Sequence, residues 1–152
     1  MHFSLQNKMK KSFAFIFVCF LCVLGLSSCD DSFDEWGYVN FYIDPNSTEY
    51  YNLNIGNKGW EYFYGGNRGV IIFRLSYYEF MAFERSCVVK DCKGTVEVDT
   101  TTNLTMFCPK CGAQYLCVDG SPIAIEGNRA KRALFSYCNH YDGIALYVYN
   151  CG

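Results

Sequence analysis

From Trp36 onward the chain alternates short runs of aromatic and β-branched residues with clusters of Asp, Asn, Gly and Pro. Runs of this length predict strands, and the clusters predict the turns between them. Tyr38 to Ile43 stops at Asp44-Pro45-Asn46, and Asn52 to Ile55 is a shorter candidate. Trp60 to Tyr64 and Val70 to Leu75 flank Gly65-Gly66-Asn67-Arg68-Gly69, which reads as a hairpin turn. Phe80 to Phe83, Thr95 to Asp99, Leu104 to Phe107 and Gln114 to Val118 follow. Leu134 to Tyr137 and Ile144 to Tyr149 form a last pair around Asp142-Gly143, and only Arg129 to Leu134 is a candidate helical turn. Short strands with such regular punctuation predict one all-β sandwich or barrel.

The beginning of the chain departs from this pattern. Lys8, Lys10 and Lys11 precede an apolar run from Ser12 to Leu26, which is short for a membrane span. The run ends in Leu26-Ser27-Ser28-Cys29, the arrangement of a bacterial lipobox. Residues 1–28 are therefore expected to be a lipoprotein signal peptide, with Cys29 the lipidated residue. Residues 29–36 form an acidic tether and residues 37–152 the domain. The expected place is a bacterial cell envelope, on the inner or the outer membrane, with the bilayer as partner through Cys29.

Composition narrows the chemistry. The 152 residues include 18% charged and 18% aromatic side chains and carry a formal charge of −2, which excludes a disordered chain. Nothing in that balance provides the basic footprint that nucleic acid requires. Loss of the first 28 residues would leave 124, with a charge of −5, one histidine (His140) and eight cysteines. A site built on two imidazoles is excluded. No Gly-rich phosphate loop, serine triad or acid–base pair of carboxylates stands out.

The cysteines are the informative feature. Cys87 and Cys92 form one close pair, and Cys108-Pro109-Lys110-Cys111-Gly112 contains a second. About fifteen residues that read as a hairpin separate the pairs, and would carry both loops to the same end of a sheet. A two-residue gap lets both thiolates face one metal, and the following glycine permits the tight turn. Four thiolates select zinc or an iron–sulfur centre. Around one ion at roughly 2.3 Å the sulfurs would lie within about 4 Å of one another, whereas a [2Fe–2S] core holds the pairs further apart. In an oxidising compartment the alternative is no metal, with the loops joined as Cys87–Cys108 or Cys92–Cys111.

At these residues the chain resembles the Rieske family. Phe80 to Cys87, Cys108-Pro109-Lys110-Cys111-Gly112, Asp119-Gly120-Ser121-Pro122 and Leu134-Phe135-Ser136-Tyr137 follow that family's order and spacing over roughly Trp60 to Asn150. The resemblance implies stacked antiparallel sheets with two cysteine-bearing loops at one tip. It also places Cys87 and Cys108 at the family's cysteine ligands. Val89 and Cys111 stand where its histidines belong, so the usual centre cannot form, and Cys92 and Cys111 become the replacement ligands. The chain is similar in this to Rieske-like lipoproteins of Bacteroides-type bacteria. An all-thiolate [2Fe–2S] cluster would be a low-potential carrier with a redox partner at the envelope, since imidazole ligands are what raise the potential. Zinc would be structural.

The remaining candidates carry less. Cys117, Cys138 and Cys151 are odd in number, so one disulfide and one buried thiol are expected. A hairpin closed at Asp142-Gly143 places Cys138 opposite about Ile144 or Ala145, which argues against a Cys138–Cys151 bond. His140 reads as a solvated turn residue, and the tyrosines as core or half-buried packing. The reading in a different class is a metal-free, disulfide-stapled surface protein that binds a glycan or protein. An enzyme is the least expected, because a Rieske fold supplies no substrate site of its own.

Overall fold

The computed structural model describes residues 36–54 and 59–152. The signal peptide, Cys29, nearly all of the tether and the end of the Asn52–Ile55 segment lie outside the described residues. Among the described residues nine strands run in the order β1 (Asn40–Ile43), β2 (Gly59–Phe63), β3 (Val70–Arg74), β4 (Phe80–Glu84), β5 (Glu97–Val98), β6 (Thr105–Phe107), β7 (Gln114–Leu116), β8 (Ser136–Tyr141) and β9 (Leu146–Tyr149). They make an antiparallel six-stranded sheet ordered β1-β9-β8-β4-β3-β2 and a three-stranded sheet ordered β5-β6-β7. The expected all-β class is what is found.

Strand β3 organises the core. Its Val-Ile-Ile-Phe run is buried on both faces, as an unbroken apolar strand must be. Ile71 and Phe73 join Phe83, Val96, Val98, Met106 and Tyr115 under the small sheet. Val70 and Ile72 join Val39, Phe80, Leu146 and Val148, where the large sheet curls on itself. Alternation along one strand thus supplies both cores. Tyr62 on β2 bridges the sheets, its hydroxyl accepting the Val98 N–H at 3.0 Å.

A buried carboxylate fastens the turn between β2 and β3. Glu84 is fully buried and accepts the backbone N–H groups of Asn67 at 2.8 Å, Arg68 at 3.0 Å and Ser86 at 2.8 Å. The Tyr137 hydroxyl lies 2.7 Å from the same carboxylate and 2.8 Å from the Trp36 carbonyl. Burial, with Glu84 beside it, raises the Tyr137 pKa, so the phenol stays a donor. Gly66 has φ +60°, and a Cβ there would strike the Glu84 carboxylate and the Tyr137 hydroxyl. Arg74, also buried, is held by neutral oxygens: Asn54 Oδ1 at 2.6 Å, Asn46 Oδ1 at 3.0 Å and the Tyr77 carbonyl at 3.1 Å.

Four local expectations are corrected. Asn52–Asn54 belongs to a 3-10 helix, Thr48–Asn54, rather than a strand. The Ser47 hydroxyl accepts the Glu49 N–H at 3.2 Å, and the Asn54 amide reaches back to the Pro45 carbonyl at 3.0 Å, so local polar bonds outcompete the ladder. Arg129–Leu134 is irregular. β8 runs on through His140, which is exposed but pairs with Tyr147 in the ladder instead of turning. Last, Cys138 and Cys151 are disulfide-bonded, with their Cα atoms 5.1 Å apart. The hairpin loop spans Asp142 to Ala145, so Tyr141 pairs with Leu146 and Cys138 with Tyr149. That register brings Cys151, two residues further on, within reach. One disulfide and one buried thiol, Cys117, is the predicted tally.

Two predictions follow from buried groups. Replacing Glu84 by Gln turns an amide N–H₂ toward backbone donors and should cost about 2–4 kcal/mol in urea unfolding, against about 1 kcal/mol for Tyr137→Phe. Burial, reinforced by the Asp99 charge, pushes the Cys117 thiol up to about 12. Between its ordinary value and that one, the unfolded thiol ionises while the folded one keeps its proton. Stability should therefore fall as pH rises through this window, by an amount that Cys117→Ala removes.

Candidate metal centre

The two cysteine loops flank the small sheet. One leaves β4 and leads to β5, and the other connects β6 to β7. The β5–β6 hairpin between them is held at its turn by Asp99, which accepts the Thr101 N–H and the Thr102 hydroxyl at 3.0 Å each. The predicted hairpin does bring the loops together. The sulfurs of Cys87, Cys92, Cys108 and Cys111 all lie within 4.8 Å of one another. Across the loops, Cys87 and Cys111 are 3.6 Å apart and Cys92 and Cys108 3.7 Å. All four are free thiols, unlike Cys138 and Cys151.

Local sequence explains the convergence. In the second loop Pro109 presets a turn in which the Cys111 and Gly112 N–H groups bond the Cys108 carbonyl at 3.3 and 2.8 Å. Gly112 takes φ +73° and turns the chain back, so that Cys108 N–H meets the Ala113 carbonyl at 2.9 Å. In the first loop the Cys92 N–H bonds the Val89 carbonyl at 2.9 Å, with Asp91 at φ 62°. Asn128 supports the site from behind. Its Oδ1 accepts the Gln114 N–H at 3.0 Å, while its amide donates to the Gln114 and Ile123 carbonyls at 2.9 and 2.8 Å.

The environment grades the four thiols. Cys87 and Cys108 are buried within the main core, whereas Cys92 and Cys111 are half-buried. Burial raises the pKa of Cys87, against the Val89 N–H that bonds its sulfur. Burial also raises Cys108, opposed by the N–H groups of Cys111 and Lys110. Burial acts the same way on Cys92, but the other three thiols and the Gly94 N–H outweigh it and leave its pKa lowered. Backbone N–H groups aimed at sulfur are what a metal-bound thiolate requires.

Four thiolates at these separations are positioned to hold a metal ion. The sequence reasoning found all four but overlooked Gly94 and Tyr115. A Cβ at Gly94 would overlap Cys108 Sγ and sit 3.2 Å from Cys92 Sγ, so only glycine leaves the sulfurs room to meet. Its place two residues after Cys92 was a usable signal. Tyr115, fully buried with its hydroxyl 3.8 Å from Cys87 Sγ, had none. Among the described residues no helix is long and apolar enough to cross a membrane. No protein-family model matches the chain, and no curated protein or solved structure matches it.

The two glycines separate sterics from backbone strain. Gly94→Ala should abolish metal uptake measured by atomic emission. Gly112→Ala, with open space around its Cβ, should keep the metal and lose only about 1 kcal/mol of stability.

Proposed function

We propose that the chain is an envelope lipoprotein whose domain is built around one zinc ion held by Cys87, Cys92, Cys108 and Cys111, and that it serves as a binding scaffold. The observation that carries this reading is the mutual spacing of the sulfurs, all within 4.8 Å. The short pairs, Cys87–Cys111 at 3.6 Å and Cys92–Cys108 at 3.7 Å, have the separation of thiolates on one tetrahedral ion, and no pair exceeds 4.8 Å against the roughly 4 Å of a filled shell. A closed four-thiolate shell offers no position for water or substrate, so the ion's role is structural.

The small sheet supports that role. Its strands have two, three and three residues, too few to form an independent core. Cys87 and Cys108 pack among Val88, Val96, Val98, Met106 and Ala113. A metal here stands in for the apolar area that the sheet lacks, and its binding energy becomes folding energy. In this reading the Rieske resemblance describes a scaffold whose histidine positions have been given up along with the two-iron cluster. Cys29 holds the domain at the membrane.

Purification of the full-length protein in detergent, without oxygen, tests the proposal. Expected are a colourless protein, one zinc per chain, and a fall in thermal midpoint with Cys108→Ser or a strong chelator. Absorbance between about 400 and 550 nm with iron and labile sulfide would overturn it in favour of the two-iron carrier. Iron without sulfide would assign a mononuclear carrier. Oxidation of all four thiols with no metal would leave the stapled binding protein.

A further inference from the structure

A second place with unspent chemistry lies where the β2–β3 turn meets the start of the first cysteine loop. Tyr62, Tyr64, Asn67, Arg68 and Arg85, with the glycines of the β2–β3 turn, line a cleft of about 510 Å³. No carboxylate lines it, since Glu84 lies beneath the turn and is committed to backbone N–H groups. Neither arginine forms an ion pair with any described residue.

Arg85 is set in place. Its guanidinium lies 3.8 Å from the centre of the Tyr62 ring, and its Nε donates to the Val96 carbonyl at 3.2 Å. Stacking fixes the plane of the fork and leaves its Nη groups without a protein acceptor among the described residues. Gly69 makes the room: a Cβ there would lie 3.3 Å from the Arg85 Cδ and 3.6 Å from Nη1. Arg68 adds a second, exposed guanidinium, while its own N–H is held by Glu84 at 3.0 Å. At the rim Tyr64 is 99% exposed, an aromatic face with nothing on it.

Two unpaired guanidinium groups and an open aromatic face in one cleft suit a ligand with an oxyanion on a flat, partly apolar body. We infer that this cleft binds an acidic sugar, its carboxylate or sulfate received by Arg68 and Arg85 and its ring laid on Tyr64. The inference does not depend on the metal.

Calorimetric titration of the full-length protein with D-glucuronate, inorganic sulfate and D-glucose tests it. Glucuronate should bind saturably, with glucose at least about tenfold weaker, the loss expected when a charge-assisted contact is missing. Arg68→Ala and Arg85→Lys should each weaken glucuronate by a similar factor, and Tyr64→Ala should weaken glucuronate but not sulfate. Zinc content measured on the same samples separates this result from the fate of the metal, and Arg68→Ala carries the test if Arg85→Lys disturbs the neighbouring loop. No saturable binding, equal binding of glucose, or an Arg68→Ala protein that binds as before would overturn the proposal. Sulfate binding as tightly as glucuronate would reduce the cleft to a bare anion site and overturn the sugar.

Discussion

The carboxylate of Glu84 is the constraint on which the rest of the molecule turns. It sits buried at the end of β4 and is satisfied by three backbone N–H groups and one phenol. The four donors come from three separate parts of the chain. Asn67 and Arg68 come from the β2–β3 turn, Tyr137 from β8, and Ser86 from the start of the first cysteine loop. A buried charge cannot be left half-satisfied, so these pieces must be in place together. The same group that shapes the floor of the arginine cleft therefore also fixes where Cys87 begins its turn.

From that anchor the small sheet hangs by unequal means. Apolar contact with β3 and β4 holds one of its faces, and the Tyr62 hydroxyl ties β5 to β2. Its own ladders are short, and the cysteine loops at its end are closed only by turn hydrogen bonds. Drawing four sulfurs to one point closes that open end. The N–H bonds onto sulfur and the absence of a side chain at Gly94 are both arrangements for thiolates in close company. They contribute little if the thiols merely share a core.

How much of this was legible in the sequence depends on the range of the interaction. Strand positions, the β2–β3 turn and the meeting of Cys87, Cys92, Cys108 and Cys111 rest on local patterns and on one hairpin, and could be read directly. The disulfide was missed because the register was misplaced: even a two-residue turn at Asp142-Gly143 sets Cys138 opposite Tyr147 rather than Ile144 or Ala145, and the four-residue loop sets it opposite Tyr149, which carries Cys151 to Cys138. The tyrosines misled for a similar reason. β propensity says that they suit a sheet, not which face, and eight of the thirteen are exposed, Tyr64 most of all. Glu84 left no trace either, since its meaning lies in donors 16, 17 and 53 positions away.

The chain uses cysteine in two ways, and backbone geometry decides between them. Cys138 and Cys151 stand on neighbouring antiparallel segments with Cα atoms 5.1 Å apart, within the span of a disulfide. In the loops, the sulfurs of Cys87, Cys92 and Cys108 face N–H groups of their own turns, and all four sulfurs face those of the other loop. A disulfide there would satisfy the second demand and forfeit the first, because a neutral sulfur is a poor acceptor. A bound cation satisfies both, keeping four thiolates charged, close and hydrogen-bonded. The turns around Cys87 and Cys108 thus offer N–H groups to sulfur against the effect of burial, and the four free thiols are positioned to hold a metal ion.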